Sequence, residues 1–508
     1  MSTEDANLFS HFRRQFEKHA DKIVLADENG TTWRYADLDQ RSAAIARGLV
    51  DAGLKPGDRV SVQIEKSPEA LCLYLGCLRA GLVYHPLNLA YTTAELEYFL
   101  SNAEPSAVVC DPGSREALLP IAEAAGTANV YTLDAKGTGT LADLADAADA
   151  AFEPVLRERD DMAALLYSSG TTGVPKGIQL THGNLLSNTE ALVEAWGFSD
   201  SDRLLHALPI FHVHGLFVAI GCVLLSGASM RWLPTYSVEK VLEFLPECSV
   251  MMGVPTYYTR LLADPGFSAE SAAGVRLFVS GSAPLLEETF IEFEQRTGHR
   301  ILERYGMSET NMNTSNPLNG DRKPGTVGPP LPGVEVRIVD DAGHRLSVNE
   351  IGNLQVRGPN VFAGYWKLPE KTAEDFTDDG YFNTGDKGKI DEDGYVSIVG
   401  RAKDIVISGG LNVYPKEVEL VIDEVPGVKE SAVIGVPHAD FGEAVVAVVV
   451  AEAADDFDEA AVIATCQEQL ANFKRPKRVI RVDELPRNTM AKVQKNALRE
   501  RFADLFAS

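Results

Sequence analysis

Basic charge is scarce in this sequence, with 47 Lys and Arg against 73 Asp and Glu and a net charge of −26 over 508 residues. A surface that acidic opposes non-specific binding to nucleic acid and to anionic membranes, so neither is expected as a partner. It still permits anionic substrates at a local positive site. Cysteine is sparse too. The six residues Cys72, Cys77, Cys110, Cys222, Cys248 and Cys466 form no CxxC pair and no Cys/His cluster with zinc spacing. They read as buried, reduced thiols of a cytoplasmic protein. Long apolar runs are missing: the longest, Leu216 to Leu225, stops at Ser226-Gly227 and is too short to cross a bilayer. The first residues, Met1 to Asp5, are acidic and resemble neither a secretory leader nor an Arg-rich transit peptide. There is no Ser/His/Asp triad or Cys/His pair, so no covalent enzyme intermediate is required. Internal repeats and long low-complexity tracts are also absent.

What is present is ordinary globular composition, 45% hydrophobic and 24% charged. The length implies two or more domains. Apolar β-branched runs such as Ala107 to Cys110, Val275 to Ser280 and Val336 to Val339 alternate with helical patterns such as Leu38 to Ala52 and Pro68 to Ala80. That alternation predicts an α/β fold of layered sheets and helices with substantial parallel sheet. Past residue 380, Asp-Gly turns punctuate short strands, which predicts a β-rich closing segment. A small α+β pattern follows, with a helix after Tyr414-Pro415, strands at Ala432 to Gly435 and Ala444 to Val450, and a last helix near Lys495. The expected division is therefore 1–400 and 401–508.

The most informative segment follows the apolar strand Ala163 to Leu166. It contains Ser168, Ser169, Gly170, Thr171, Thr172, Gly173, Lys176 and Gly177. Its glycines let backbone amides approach a ligand, its hydroxyls add donors, and Lys176 adds positive charge, which together make an anion cradle. No Gly-Lys-Ser/Thr closes it, so it is not a Walker loop.

This string resembles the phosphate loop of the adenylate-forming superfamily: acyl-CoA synthetases, adenylation domains of peptide synthetases, and luciferases. The resemblance extends along essentially the whole chain. It implies ATP and coenzyme A as co-substrates and Mg²⁺ as cofactor. Glu303, Tyr305, Gly306, Met307 and Ser308 correspond to the second signature beside the adenine and α-phosphate, and Glu309 to its magnesium carboxylate. Ser282 and Ala283 correspond to the strand end that wraps substrate and nucleotide. Asp386 resembles the ribose carboxylate, with Arg401 expected beside it. Lys403 stands at the hinge about which the small domain turns. Gly409 and Gly410 stand in the loop that admits the pantetheine arm. Lys492 resembles the lysine that meets the substrate carboxylate and α-phosphate. At one position the chain departs from the pattern, with Ala491 where the family usually has Gly. Alanine takes positive φ less readily, so the loop either closes less well or adopts a negative-φ geometry.

The segments His206 to Gly215, Gly253 to Arg260 and Glu303 to Pro317 further resemble malonyl-CoA synthetases, which implies malonate, and next methylmalonate, as the acid. A dicarboxylate leaves one carboxylate unreacted in the pocket, where an unpaired charge is costly. Arg260 is expected to pair with it, since Arg offers a planar fork. Ser282 and His212 are expected to line the same pocket, and His206 and His214 to be supporting structure. The alternatives are an aryl- or fatty-acid–CoA ligase, an adenylation domain loading a carrier protein, and a non-catalytic nucleotide-binding protein. Lys492 is also a candidate target of lysine-acylating and deacylating enzymes, because acylation removes its charge.

Overall fold

A computed structural model describes residues 5–167, 175–401, 404–408, 411–438, 441–452, 458–470, 472–488 and 492–506. Two large sheets dominate the first 400 residues. One has eight strands in the spatial order Asn311–Ser315, Leu302–Met307, Leu277–Ser280, Val250–Gly253, Arg203–His206, Ser229–Trp232, Ile23–Asp27 and Thr32–Arg34. Its inner strands are parallel, and only the pairs at either edge are antiparallel. The other has seven strands, ordered Gly364–Tyr365, Gly177–Thr181, Met162–Tyr167, Val83–Pro86, Arg59–Gln63, Ala107–Cys110 and Asn129–Thr132.

Both sheets share one hydrophobic core with the helices Leu8–Lys18, Pro68–Arg79, His182–Trp196 and Ile220–Ser226. Pro68–Arg79 shows why. Ser67 caps it through the Ala70 amide, Pro68 starts it, and every residue from Ala70 to Arg79 is buried. A helix apolar on all sides must lie between layers rather than on a surface. The apolar run from Leu216 is likewise internal, a π-helical turn His214–Ala219 leading into Ile220–Ser226.

The β-rich closing segment is a four-stranded antiparallel sheet, Glu335–Val339, Gly352–Arg357, Phe382–Ile390 and Val396–Arg401. The last part is a separate sheet built on the long pair Val428–His438 and Gly442–Ala451, flanked by the helices Pro415–Asp423, Glu459–Gln469 and Lys495–Arg501. Its core is distinct from the first. The α/β class expected from the alternation is observed. Some ends moved by a few residues: the strand expected from Val275 begins at Leu277, and the helix expected from Leu38 begins at Tyr35, where Asp37 accepts the Arg34 amide. An Ala/Asp-rich stretch, Leu141 to Ala151, is helical only in its first part, within Thr140–Asp146. All six cysteines are free and buried. Among the described residues no helix is long and apolar enough to cross a membrane.

Candidate active site

In open parallel sheets, ligands gather beyond the carboxyl ends of the strands. The segments singled out by sequence lie there. His212 and His214 follow Arg203–His206, Arg260 follows Val250–Gly253, and Ser282 and Ala283 follow Leu277–Ser280. Residue 303 is aligned with Ser280 across the adjoining parallel pair.

Arg304, to which sequence reasoning assigned no role, is buried at the centre of this group. It is 3% exposed, and its Nε and Nη2 have no hydrogen-bond partner among the described residues. Burial pushes its pKa down to about 10. The guanidinium packs on Gly281, where a Cβ would stand 2.3 Å from Arg304 Cζ, so glycine is what leaves it room. Its charge acts on His212 and His214, both held neutral chiefly by burial, with the pKa of His212 pushed down to about 3. His214 Nδ1 lies 3.2 Å from Ser282 Oγ, and Ser282 sits at φ +71°. A non-glycine residue in that region is strained, and such strain gathers at ligand sites. A buried guanidinium with unpaired donors beside two neutral imidazoles and a hydroxyl is built to take an anion.

Arg260 is exposed near the end of the helix Pro255–Leu262. Its charge acts on Tyr236 and Tyr257, which stack with ring centroids 3.8 Å apart. The neighbouring Tyr258 feels the charge of Arg304. The same helix thus carries Arg260 at its solvent end, and Tyr258 on its buried side feels Arg304. The run from Asn311 to Pro317, part of the segment that resembles malonyl-CoA synthetases, is packed into the fold. Asn311–Ser315 is buried throughout, Asn313 donates to Thr310 Oγ1 at 2.8 Å, and Asn316 donates to the Glu303 carbonyl at 3.0 Å.

A second group faces the cleft from the closing sheet. Asp386 and Arg401 are opposed in register, with Arg401 Nε 2.9 Å from Asp386 Oδ1. Tyr305 donates its phenol to the other carboxylate oxygen of Asp386. Glu309 is buried, and burial raises its pKa against the lowering influence of Arg401 and Lys176. Lys176 Nζ lies 5.3 Å from the ring centre of Tyr365, whose phenol is pushed up by burial and then by the charge of Glu309. Glu303 is buried, accepts from the Leu285 amide at 3.0 Å, and has its pKa pushed up to about 7 by burial. Gly306, Met307, Ser308 and Ala283 are half-buried along the same wall.

Lys492 reaches this group from the small domain. Its backbone is held by Asn488, which bonds both its N–H and its carbonyl, the latter at 2.9 Å. Its side chain remains exposed, yet the protein around its ammonium lowers its pKa, as do the charges of Arg401 and Arg304, while Asp386 and Glu309 oppose them. An exposed residue with so crowded a head group stands in a cleft, open to water on one side. Ser168, Ser169, Gly170, Thr171, Thr172, Gly173, Lys403, Gly409, Gly410 and Ala491 lie outside the described residues.

The described residues contain no group of three or more His, Cys, Asp or Glu side chains suited to a metal. Glu309 offers a single hard oxygen. That donor set fits Mg²⁺, which keeps waters and completes its shell with phosphate oxygens.

The chain is similar to the malonate–CoA ligase of Arabidopsis thaliana, at 38% identity over 550 residues that cover 98% of this chain and 90% of that protein. It is similar to the crystal structure of ATP-bound MatB from Rhodopseudomonas palustris, at 54% identity and a TM-score of 0.96, covering 99% of this chain and 100% of that one. Against apo MatB from the same organism the identity is 54% with the same coverage, and the TM-score is 0.86. The family model described as AMP-binding enzyme matches residues 12–366, and that of the AMP-binding enzyme C-terminal domain matches 417–492. With both models matched in order along one chain, the protein belongs to the AMP-binding enzyme family.

Proposed function

We propose that the protein is a malonate–CoA ligase that converts ATP, malonate and coenzyme A to malonyl-CoA, AMP and pyrophosphate. The observation that carries the acid is Arg304, a buried guanidinium with two unpaired nitrogens beside Ser282, His212 and His214. It suits the carboxylate that does not react. Arg260, exposed at the end of its helix, is proposed as a second cation at the pocket mouth. A monocarboxylic acid would leave Arg304 buried and unpaired, which disfavours an aryl or fatty acid.

In the first half-reaction the other malonate carboxylate attacks the α-phosphorus of ATP, and pyrophosphate leaves. Lys176 and the loop around it hold the phosphates, Asp386 takes the ribose hydroxyls, and Glu303 to Ser308 line the nucleotide. Lys492 brings positive charge to the carboxylate and α-phosphate as charge shifts between them. Glu309 would hold Mg²⁺, which supplies Lewis-acid neutralisation of the phosphate charge when bound. Positioning and electrostatics of this kind suffice for phosphoryl chemistry. In the second half-reaction the coenzyme A sulfur attacks the malonyl carbonyl, AMP departs, and the thiol proton passes to solvent.

Residues 401–508 are proposed to turn about Lys403 between the two steps, with Gly409 and Gly410 then lining the thiol path. The higher TM-score against ATP-bound MatB than against its apo form favours reading the present arrangement as the adenylating one. Methylmalonate is proposed as a second acid, being one methyl larger. The six buried thiols favour a reducing compartment such as the cytoplasm. Lys492, exposed in the cleft, is proposed to be open to acylating and deacylating enzymes.

The decisive experiment is coenzyme A-dependent AMP release with malonate, methylmalonate, octanoate and coumarate. Malonate is expected to be used best. Good turnover of octanoate or coumarate with none of malonate would overturn the proposal.

A further inference from the structure

Lys66 follows the strand Arg59–Gln63 of the seven-stranded sheet, but its side chain ends in the eight-stranded one. Its Nζ lies 2.8 Å from His206 Nδ1, 2.9 Å from the His206 carbonyl and 2.6 Å from the Leu233 carbonyl. It also stands over the Trp232 ring, 4.5 Å from the centroid, and His206 stacks on that same ring at 5.0 Å and 15°. Among the described residues no carboxylate pairs with it. Keeping a buried lysine without an acid is costly, so a role other than ion pairing is implied.

The protonation pattern follows from one obligate acceptor. His206 Nε2 lies 3.0 Å from the Gly215 carbonyl, so Nε2 must carry a proton. A neutral His206 then presents a lone pair at Nδ1, and Lys66 must donate to it. Burial pulls the Lys66 pKa well down, while three acceptors within hydrogen-bond distance of Nζ match the three protons of its ammonium form.

The Gly215 carbonyl does a second thing. It also accepts the Ile220 amide, the i to i+5 bond of the π-helical turn His214–Ala219. Turns of this kind are rare and are frequent at functional sites. The turn is packed hard against the preceding loop, since a Cβ on Gly215 would stand 2.0 Å from the Pro209 carbonyl oxygen. Its first residue is His214, whose Nδ1 meets Ser282 Oγ beside Gly281 and Arg304.

We propose that Lys66 and His206 are positioning residues that lock this π turn and thereby hold His214 and Ser282 against the acid bound at Arg304. The proposal rests on the acid-binding reading above. Neither residue is assigned a contact with the substrate; both act through Gly215. A sheet-to-sheet bolt of this sort couples the placement of the acid to the packing of the two large sheets.

The test measures KM for acid and for ATP in Lys66→Met, His206→Asn and His206→Gln, together with Tm. Asparagine can mimic Nδ1 and loses the donor to Gly215, whereas glutamine can mimic Nε2 and keeps it. Lys66→Met and His206→Asn are expected to raise the acid KM roughly tenfold or more, since small misplacements at a reacting group are expensive. The ATP KM should stay within about twofold and His206→Gln within about threefold of wild type. An unchanged acid KM in Lys66→Met and His206→Asn, even with a lowered Tm, overturns the proposal, as does an equal rise in both KM values. If Lys66→Met does not fold, the contrast between His206→Asn and His206→Gln decides. The acid used is whichever the wild type turns over best, so a wild type that rejects malonate sinks the malonate reading and leaves the positioning claim to be judged on its own.

Discussion

The two walls of the cleft are built differently. The acid-side wall, with Arg304, His214, His206 and Lys66, grows from the ends of parallel strands and is closed by internal hydrogen bonds. The nucleotide-side wall is drawn from the antiparallel closing sheet and the small domain. Its polar groups pair with each other, as Arg401 does with Asp386, and Lys492 stays exposed. A preorganised, desolvated wall discriminates among acids, because the wrong one leaves charge unpaired. If the small domain turns as proposed, the wall it carries governs when chemistry occurs.

The strongest way to break this division is to remove the lysine that the small domain brings to the cleft. Lys492→Ala is expected to lower malonate-dependent ATP–pyrophosphate exchange by about 10²–10³-fold. Thioester formation from supplied malonyl-adenylate should fall far less. Equal losses in both assays would show that Lys492 is not confined to adenylation.

On the other wall, Arg304→Leu should raise the malonate KM by roughly 10²-fold while the ATP KM stays put, as loss of a desolvated charge partner predicts. Arg260→Ala, at an exposed position, should cost less, about threefold to tenfold. A larger effect at Arg260 than at Arg304 would reverse which arginine dominates.

The pH profile separates the walls again. The proposed role of Lys492 needs its protonated form, and the protein around its ammonium, with the charge of Arg401, lowers its pKa from 10.5. Adenylation should therefore decline with rising pH at a value below 10.5, and Lys492→Arg should remove that alkaline limb. Survival of the limb in the arginine variant would assign it to another group. Because His212 is held neutral with a pKa near 3, no limb between pH 5 and 8 is expected from it.

The smallest effect concerns stability. The Glu303 carboxyl, normally near 4.5, is raised to about 7, so its protonated form favours the fold. Stability is fully present below about 4.5 and is lost as pH rises through about 7. Glu303→Gln should flatten that loss, by roughly 2–4 °C in Tm across the window. An unaltered slope would mean that Glu303 is not desolvated in solution.

Much of this was readable before folding. The helix Pro68–Arg79 announces itself through Ser67, Pro68 and an unbroken apolar run. Asp386 and Arg401 were paired from motif context, and they are opposed across two strands. Arg304 escaped notice because it sits inside a motif whose neighbours have better-known parts. A charge between Leu302 and Tyr305 on a strand was the available signal. Lys66 and His206 are 140 residues apart, and neither carries a local signature.

The sequence by itself determined the nucleotide chemistry, because phosphate loops, turns and caps are contiguous. Glycine freedom, hydroxyl donors and a nearby lysine act within a few residues of chain. Only the tertiary structure decided which arginine is desolvated. Arg260 and Arg304 are the same side chain, and nothing local distinguishes their burial. Gly281 packs on Arg304, whose charge is felt at His214 and Tyr258 on two other segments, while Arg260 ends in solvent. Desolvation is the sum of what distant segments bring, and on it rests the proposed choice of acid.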